Sequence, residues 1–220
     1  MSVTRASNEG ITPNKYCLEN ILGEGKYRLV FPVNDETCMK IVKPKKTKRI
    51  GPFSFQVNTA LYLLVTNRVR NINQQEFKNY SAFISQISPE IKSSFGELIG
   101  LTQEGNLLAK IIRDWDGRIS KSLTQYFGLK NPSFSNQLEK IEQEITSKAI
   151  PYFNNTPHNV LVQWVSPDEA NPVFIDYKRF GYRSYSFQPA LLLTSGVKRK
   201  ISSEFERIKQ YHQGRSNVFN

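Results

Sequence analysis

The chain has 220 residues, enough for one large domain or two small lobes with a sizeable core, so folding calls for no disulfide or metal staple. Thirty Lys and Arg against nineteen Asp and Glu leave a formal charge of +11, which points to a polyanionic partner without choosing among nucleotide, nucleic acid and anionic lipid. No stretch reaches the roughly 18 apolar residues that a membrane span needs, and Cys17 and Cys38 form no metal-ligand or redox spacing, so the expectation is a reduced, cytoplasmic chain.

Residues 1–15 are polar and lack an apolar period, which predicts a flexible arm. From Tyr16 onward, CLENILGEG, YRLVFPV and TCMKIVK alternate apolar runs with turn residues, the last two joined at Asn34 and Asp35; three consecutive antiparallel strands follow from that spacing. The basic stretch within 44–72 predicts a loop and then a short helix around LYLLV. Over residues 73–88, Phe77, Tyr80, Phe83 or Ile84, and Ile87 fall on one helical face, with Pro89 closing the helix. GELIGLTQ and NLLAKIIRDW, separated by Glu104 and Gly105, read as a hairpin.

Beyond Trp115 the pattern turns helical. A short helix is expected over Ser120 to Phe127, and a longer one from a Ser135 cap to Ala149 with Leu138, Ile141, Glu142 and Ile145 at helical spacing. NVLVQWV and PVFIDY form a second small hairpin, and Val197 to Tyr211 is amphipathic and basic. The fold class expected is α+β in two lobes: an N-lobe over 16–113 with a basic insertion at 44–72, and a mainly helical C-lobe over 114–220.

Several residues in this frame could carry chemistry. Gly23 and Gly25 sit in a turn where backbone N–H groups can approach a phosphate, although a Gly-x-Gly pair in a hairpin is often no more than a turn. Lys40 lies in an apolar strand; it either faces solvent or pairs with an anion, and Glu76 on the following helix is placed to be its partner. Asn159 precedes one strand of the second hairpin and Asp176 follows the other, so both side chains belong at one end of it. Two hard oxygen donors there suit magnesium carrying phosphates, while each alone also suits a turn or cap.

Taken in order, LGEGKYRLVF, CMKIVK, EFKNYSAF, FGELIGLTQEGNLLAKIIRDWDGRIS and TPHNVLVQWVSPDEANPVFIDYKRFG resemble the protein-kinase-like superfamily and, within it, the family of PhoP regulatory network protein YrbL. The resemblance implies a two-lobed kinase-like fold with a minimal C-lobe, binding ATP with Mg2+. It implies that Gly23, Gly25, Lys40 and Glu76 contact the nucleotide and that Asn159 and Asp176 hold the metal.

The pattern also departs from an active kinase. The catalytic-loop aspartate, five residues before the metal asparagine, is here Asn154, and the loop's lysine position is Thr156. An amide has no useful basicity at neutral pH. The glycine turn lacks a third glycine, and Tyr177 and Lys178 follow Asp176 where phenylalanine and glycine are usual. His158 reads as a surface histidine, His212 has no assignable partner, and Asp114 and Asp116 belong to the junction between lobes. Catalysis would then rest on Lys40, Asp176 and Asn154. Two readings follow: an atypical phosphotransferase acting on a hydroxyl of a protein or small molecule, and a pseudokinase that binds nucleotide or acts as a regulatory scaffold. The basic insertion could contact an acidic protein partner; no recognition helix or aromatic platform supports a nucleic-acid partner.

Overall fold

The computed structural model describes residues 21–25, 27–43, 72–151, 156–177 and 193–214. The expected N-terminal arm, Cys17, Asn154, and nearly all of the 44–72 insertion lie outside these residues.

The first sheet has five antiparallel strands in the order β1-β2-β3-β5-β4: β1 Gly23–Glu24, β2 Arg28–Pro32, β3 Thr37–Val42, β4 Leu98–Leu101 and β5 Leu107–Lys110. The turn before β3 forms because the Asn34 side-chain oxygen accepts the N–H groups of Glu36 at 2.9 Å and Thr37 at 2.8 Å, replacing a backbone turn bond. Gly105, at φ 80°, supplies the left-handed residue of the β4–β5 hairpin. The register slips by one residue between Leu98 and Gly100, leaving Ile99 half-exposed on an edge-strand bulge.

Helix α1, Ile72–Ile84, packs on this sheet but differs from expectation in extent and in face. It stops at Ile84, and Pro89 opens the next short helix, α2 Pro89–Lys92, at its first turn, where a missing N–H costs nothing. Phe83 and Ile87 are buried as expected, whereas Phe77 and Tyr80 are only half-buried; the deepest positions of the first turns are Asn73, Glu76 and Asn79. That half of the helix therefore turns a polar face inward, which pattern counting on apolar residues does not detect.

The second sheet holds β6 Lys121–Ser122, β7 Val160–Trp164 and β8 Ala170–Phe174, in that order and antiparallel. The helix expected over 120–127 is instead β6 followed by a single 3-10 turn at Leu123–Gln125. Helix α3, Pro132–Lys148, is capped four residues before the expected Ser135: the Asn131 side chain accepts the Phe134 N–H at 3.1 Å, with Pro132 at the first helical position. Phe134, Leu138, Ile141 and Ile145 form its buried stripe, while Glu142 faces outward to pair with Lys209 at 2.6 Å. Lys209 belongs to α4, Thr194–His212, whose Val197, Ile201, Phe205 and Ile208 complete the packing against α3. His212, for which the sequence offered no partner, is buried with its ring stacked 4.9 Å from that of Phe134.

One apolar core runs from Cys38 and Leu107 through Phe83, Phe95 and Phe174 to Phe205. Two antiparallel sheets with separate helices make the chain α+β, an arrangement compatible with two lobes. Among the described residues no helix is long and apolar enough to cross a membrane.

Candidate functional site

Gly23 pairs with Val30, Val30 with Lys40, and Lys40 with Leu107, a row of cross-strand partners whose side chains share one face of the sheet. Arg28, two residues from Val30 on β2, shares that face and is the diagonal neighbour of Lys40. The pleat thus brings two cations together, beside a glycine whose missing side chain leaves the row open. Neither Gly23 nor Gly25 has positive φ, and a Cβ would meet only ordinary contacts at either, so the backbone itself does not require glycine there. Glu24 between them is drawn off by the Lys43 ammonium, which lowers its carboxyl below the usual value.

Glu76, 2% exposed, is the anion that receives both cations. Lys40 Nζ donates to its Oε1 at 2.7 Å, and Arg28 Nη1 donates to its Oε2. The two alternatives for Lys40 are thereby resolved: it stands on a central strand, 12% exposed at the side chain, and is paired. Burial alone would raise the Glu76 carboxyl; the charges and hydrogen bonds of Lys40 and Arg28 outweigh it and hold the group down to about 2. Burial would likewise lower Arg28, and Glu76 and Asp176 reverse this, raising it above its ordinary value. Both partners stay ionised. Helix α1 is fixed in register by the Asn73 amide, which donates to the Lys40 carbonyl at 2.9 Å and to that of Gly105 at 3.1 Å.

The opposite wall comes from the second sheet. The Asn159 carbonyl accepts the Ile175 N–H at 2.9 Å, extending the β7–β8 ladder one pair beyond Val160 and Phe174. Asn159 Nδ2 lies 3.3 Å from Asp176 Oδ2, and Arg28 Nη2 lies 3.3 Å from Asp176 Oδ1. Lys40, Glu76, Arg28, Asp176 and Asn159 therefore form one continuous polar chain between the sheets. Asp176 sits at φ 77°, a conformation that costs a non-glycine residue energy and that the surroundings must enforce. Tyr177 does the enforcing. Its hydroxyl donates to the Gly96 carbonyl at 2.6 Å, its own carbonyl accepts the Asn79 amide at 2.9 Å, and its ring packs edge-on to Tyr80 at 4.8 Å.

One carboxylate and one side-chain amide are enough protein ligands for a magnesium ion that also carries phosphates. As arranged, however, both Asp176 oxygens already accept from donors, and one of those donors is a cation. A divalent ion there would share the carboxylate with the guanidinium charge, so this donor set does not fit a divalent metal as it stands. Among the described residues no group of three or more His, Cys, Asp or Glu is placed to hold one.

Four of the residues expected from sequence, Lys40, Glu76, Asn159 and Asp176, are thus brought together; Gly23, expected in a turn, is instead paired in β1, and only Gly25 lies in the turn that follows. Asn154 lies outside the described residues. His158 is exposed. Asp114 accepts from Ser120 Oγ at 2.6 Å and from the Trp164 N–H at 3.0 Å, binding the segment after β5 to β7. Arg28 was missed. The signal was present: in the spacing Gly-x-Gly-x-x-Gly, counted from Gly23 and Gly25, the third glycine would fall at position 28.

No curated protein matched the chain. A family model, that of PhoP regulatory network protein YrbL, matches residues 17–213, a span that takes in every residue of the polar chain between the sheets. With nearly the whole sequence covered, the chain belongs to the YrbL family.

Proposed function

We propose that the chain is a kinase-like nucleotide-binding protein of the pseudokinase type, with an N-lobe over 16–113 and a C-lobe over 114–220, that receives the phosphates of ATP between its sheets. The Lys40–Glu76 pair carries this reading. A strand lysine held by a helix glutamate is the device with which kinases present an ammonium to the phosphates. A buried Arg–Glu–Lys cluster is also a poor stabiliser, since apolar side chains of similar volume do as well or better, and its two cations against one carboxylate favour an anionic ligand. Binding is favoured over transfer because Asn154 offers no base and Arg28 engages Asp176. A nucleotide-dependent regulatory role agrees with the family's description as a regulatory network protein.

The second reading is phosphoryl transfer to a hydroxyl, favoured by Asn159 and Asp176 lying together at one end of the β7–β8 hairpin and linked through Arg28 and Glu76 to Lys40. The loose transition state of phosphoryl transfer asks little of a base.

A thermal shift with millimolar ATP and magnesium tests the main reading. At about a hundred times Kd, bound ligand contributes roughly 2.7 kcal/mol, a rise of several degrees in Tm. Lys40→Ala, which leaves Glu76 paired with Arg28, should lose that rise while keeping its fold. No shift in the wild type removes the reading. Label transferred from γ-labelled ATP to the protein or an added acceptor replaces it with the second.

A further inference from the structure

The place where a divalent ion would be expected is held by a side chain of this protein. Arg28 occupies the third-glycine position of the turn, and its guanidinium spans from Glu76 on α1 to Asp176 beyond β8. Together with Lys40 it gives the site two cations and two carboxylates, so both carboxylates are balanced without a metal before any ligand enters. The guanidinium is 14% exposed at the side chain, so it is screened from water on most sides without being sealed off from it. A guanidinium has five N–H donors in a planar fork that matches phosphate oxygens, more than these two contacts use. A divalent ion brought to Asp176 would meet this fixed positive charge at close range in a partly dry site, where like charges repel strongly.

We propose that Arg28 is the resident countercation of the site: it stands in for a divalent ion at Asp176 and, with Lys40, receives a nucleoside polyphosphate without a required metal. This rests on the nucleotide reading given above. It assigns Arg28 as a specificity-determining residue that sets which counterion the site uses. Replacing it by the glycine of the usual spacing opens Asp176 and Asn159 to a metal.

The test has two arms on the full chain. In the first, ATP binding is measured by calorimetry with excess chelator and again with magnesium, for wild type, Arg28→Gly and Arg28→Gln; the glutamine variant preserves strand propensity if the glycine variant folds poorly. Wild-type affinity should differ by no more than about threefold between the two conditions, and both variants should weaken by about tenfold or more in chelator and recover with magnesium. Wild-type binding that vanishes in chelator overturns the proposal. In the second arm, Mn2+ is titrated without nucleotide and followed by electron paramagnetic resonance. Wild type should lack, and Arg28→Gly should gain, a site that Asp176→Ala removes; equal Mn2+ binding by wild type and variant overturns the proposal. Should no form bind ATP under any condition, the nucleotide reading fails, and the Mn2+ arm alone decides whether Arg28 keeps a divalent ion from Asp176.

Discussion

Glu76 is buried between two cations, and its charge is needed by both. Replacing it by glutamine leaves Lys40 inside without a countercharge and Arg28 with Asp176 alone. The cost expected from breaking a buried pair is about 3–5 kcal/mol, measured by urea unfolding at neutral pH. The same residue sets part of the acid limb. Its carboxyl titrates lower in the folded chain than in the unfolded one, so as pH falls below the ordinary value of 4.5 the unfolded state takes up a proton that the folded state refuses. Stability from this group is complete above that pH and is lost as pH falls toward about 2. Wild type should therefore lose Tm across that window more steeply than Glu76→Gln, whose smaller loss comes from the remaining carboxylates.

Helix α1 does with side-chain amides what most helices do with apolar groups. Asn73 holds it to β3 and the β4–β5 turn, and Asn79 holds Tyr177, the residue that follows Asp176. Asn79→Ala leaves the Tyr177 carbonyl buried without this donor, at a cost of about 1–3 kcal/mol in denaturant unfolding. It should also weaken ATP-induced stabilisation, a loss that would be absent if the amide served the fold alone. Strands β2 to β5 were legible because each is a short apolar run beside a recognisable turn, at Asn34 or at Gly105, whereas β1 falls on Gly23 and Glu24, which read as a turn. Lys40 and Glu76 were legible as a pair because an apolar strand gives a buried lysine no other companion. Asn73, Asn79 and Arg28 were not. A helix that buries amides has no apolar period to count there, and an arginine on a short strand reads as an outward charge until the sheet shows which face it occupies.

The two sheets meet at a seam. The Gly96 N–H donates to the Phe174 carbonyl at 2.8 Å, and the Phe174 N–H donates to the Ser94 carbonyl at 2.9 Å. A Cβ on Gly96 would stand 3.0 Å from Ile175 Cγ2 and 3.4 Å from the Phe174 carbonyl oxygen. Close approach, not backbone conformation, is what requires glycine there. Gly96→Ala must push Ile175, the residue just before Asp176, so we expect a loss of about 1–3 kcal/mol by unfolding together with weaker ATP-induced stabilisation. An alanine variant with wild-type Tm and nucleotide response would show that the seam yields without moving the site.

The β7–β8 hairpin presents Asn159 and Asp176 at its open end, while its connecting turn, where the Val165 and Ser166 N–H groups both donate to the Glu169 carbonyl, lies at the other. Residues added at that turn lengthen the loop without altering the pairing of Val160 with Phe174. A single residue added within either strand would instead swap the two faces of everything beyond it. The turn is therefore the place in this hairpin to insert an affinity handle or a reporter, and the strands are where even one extra residue would dismantle the site.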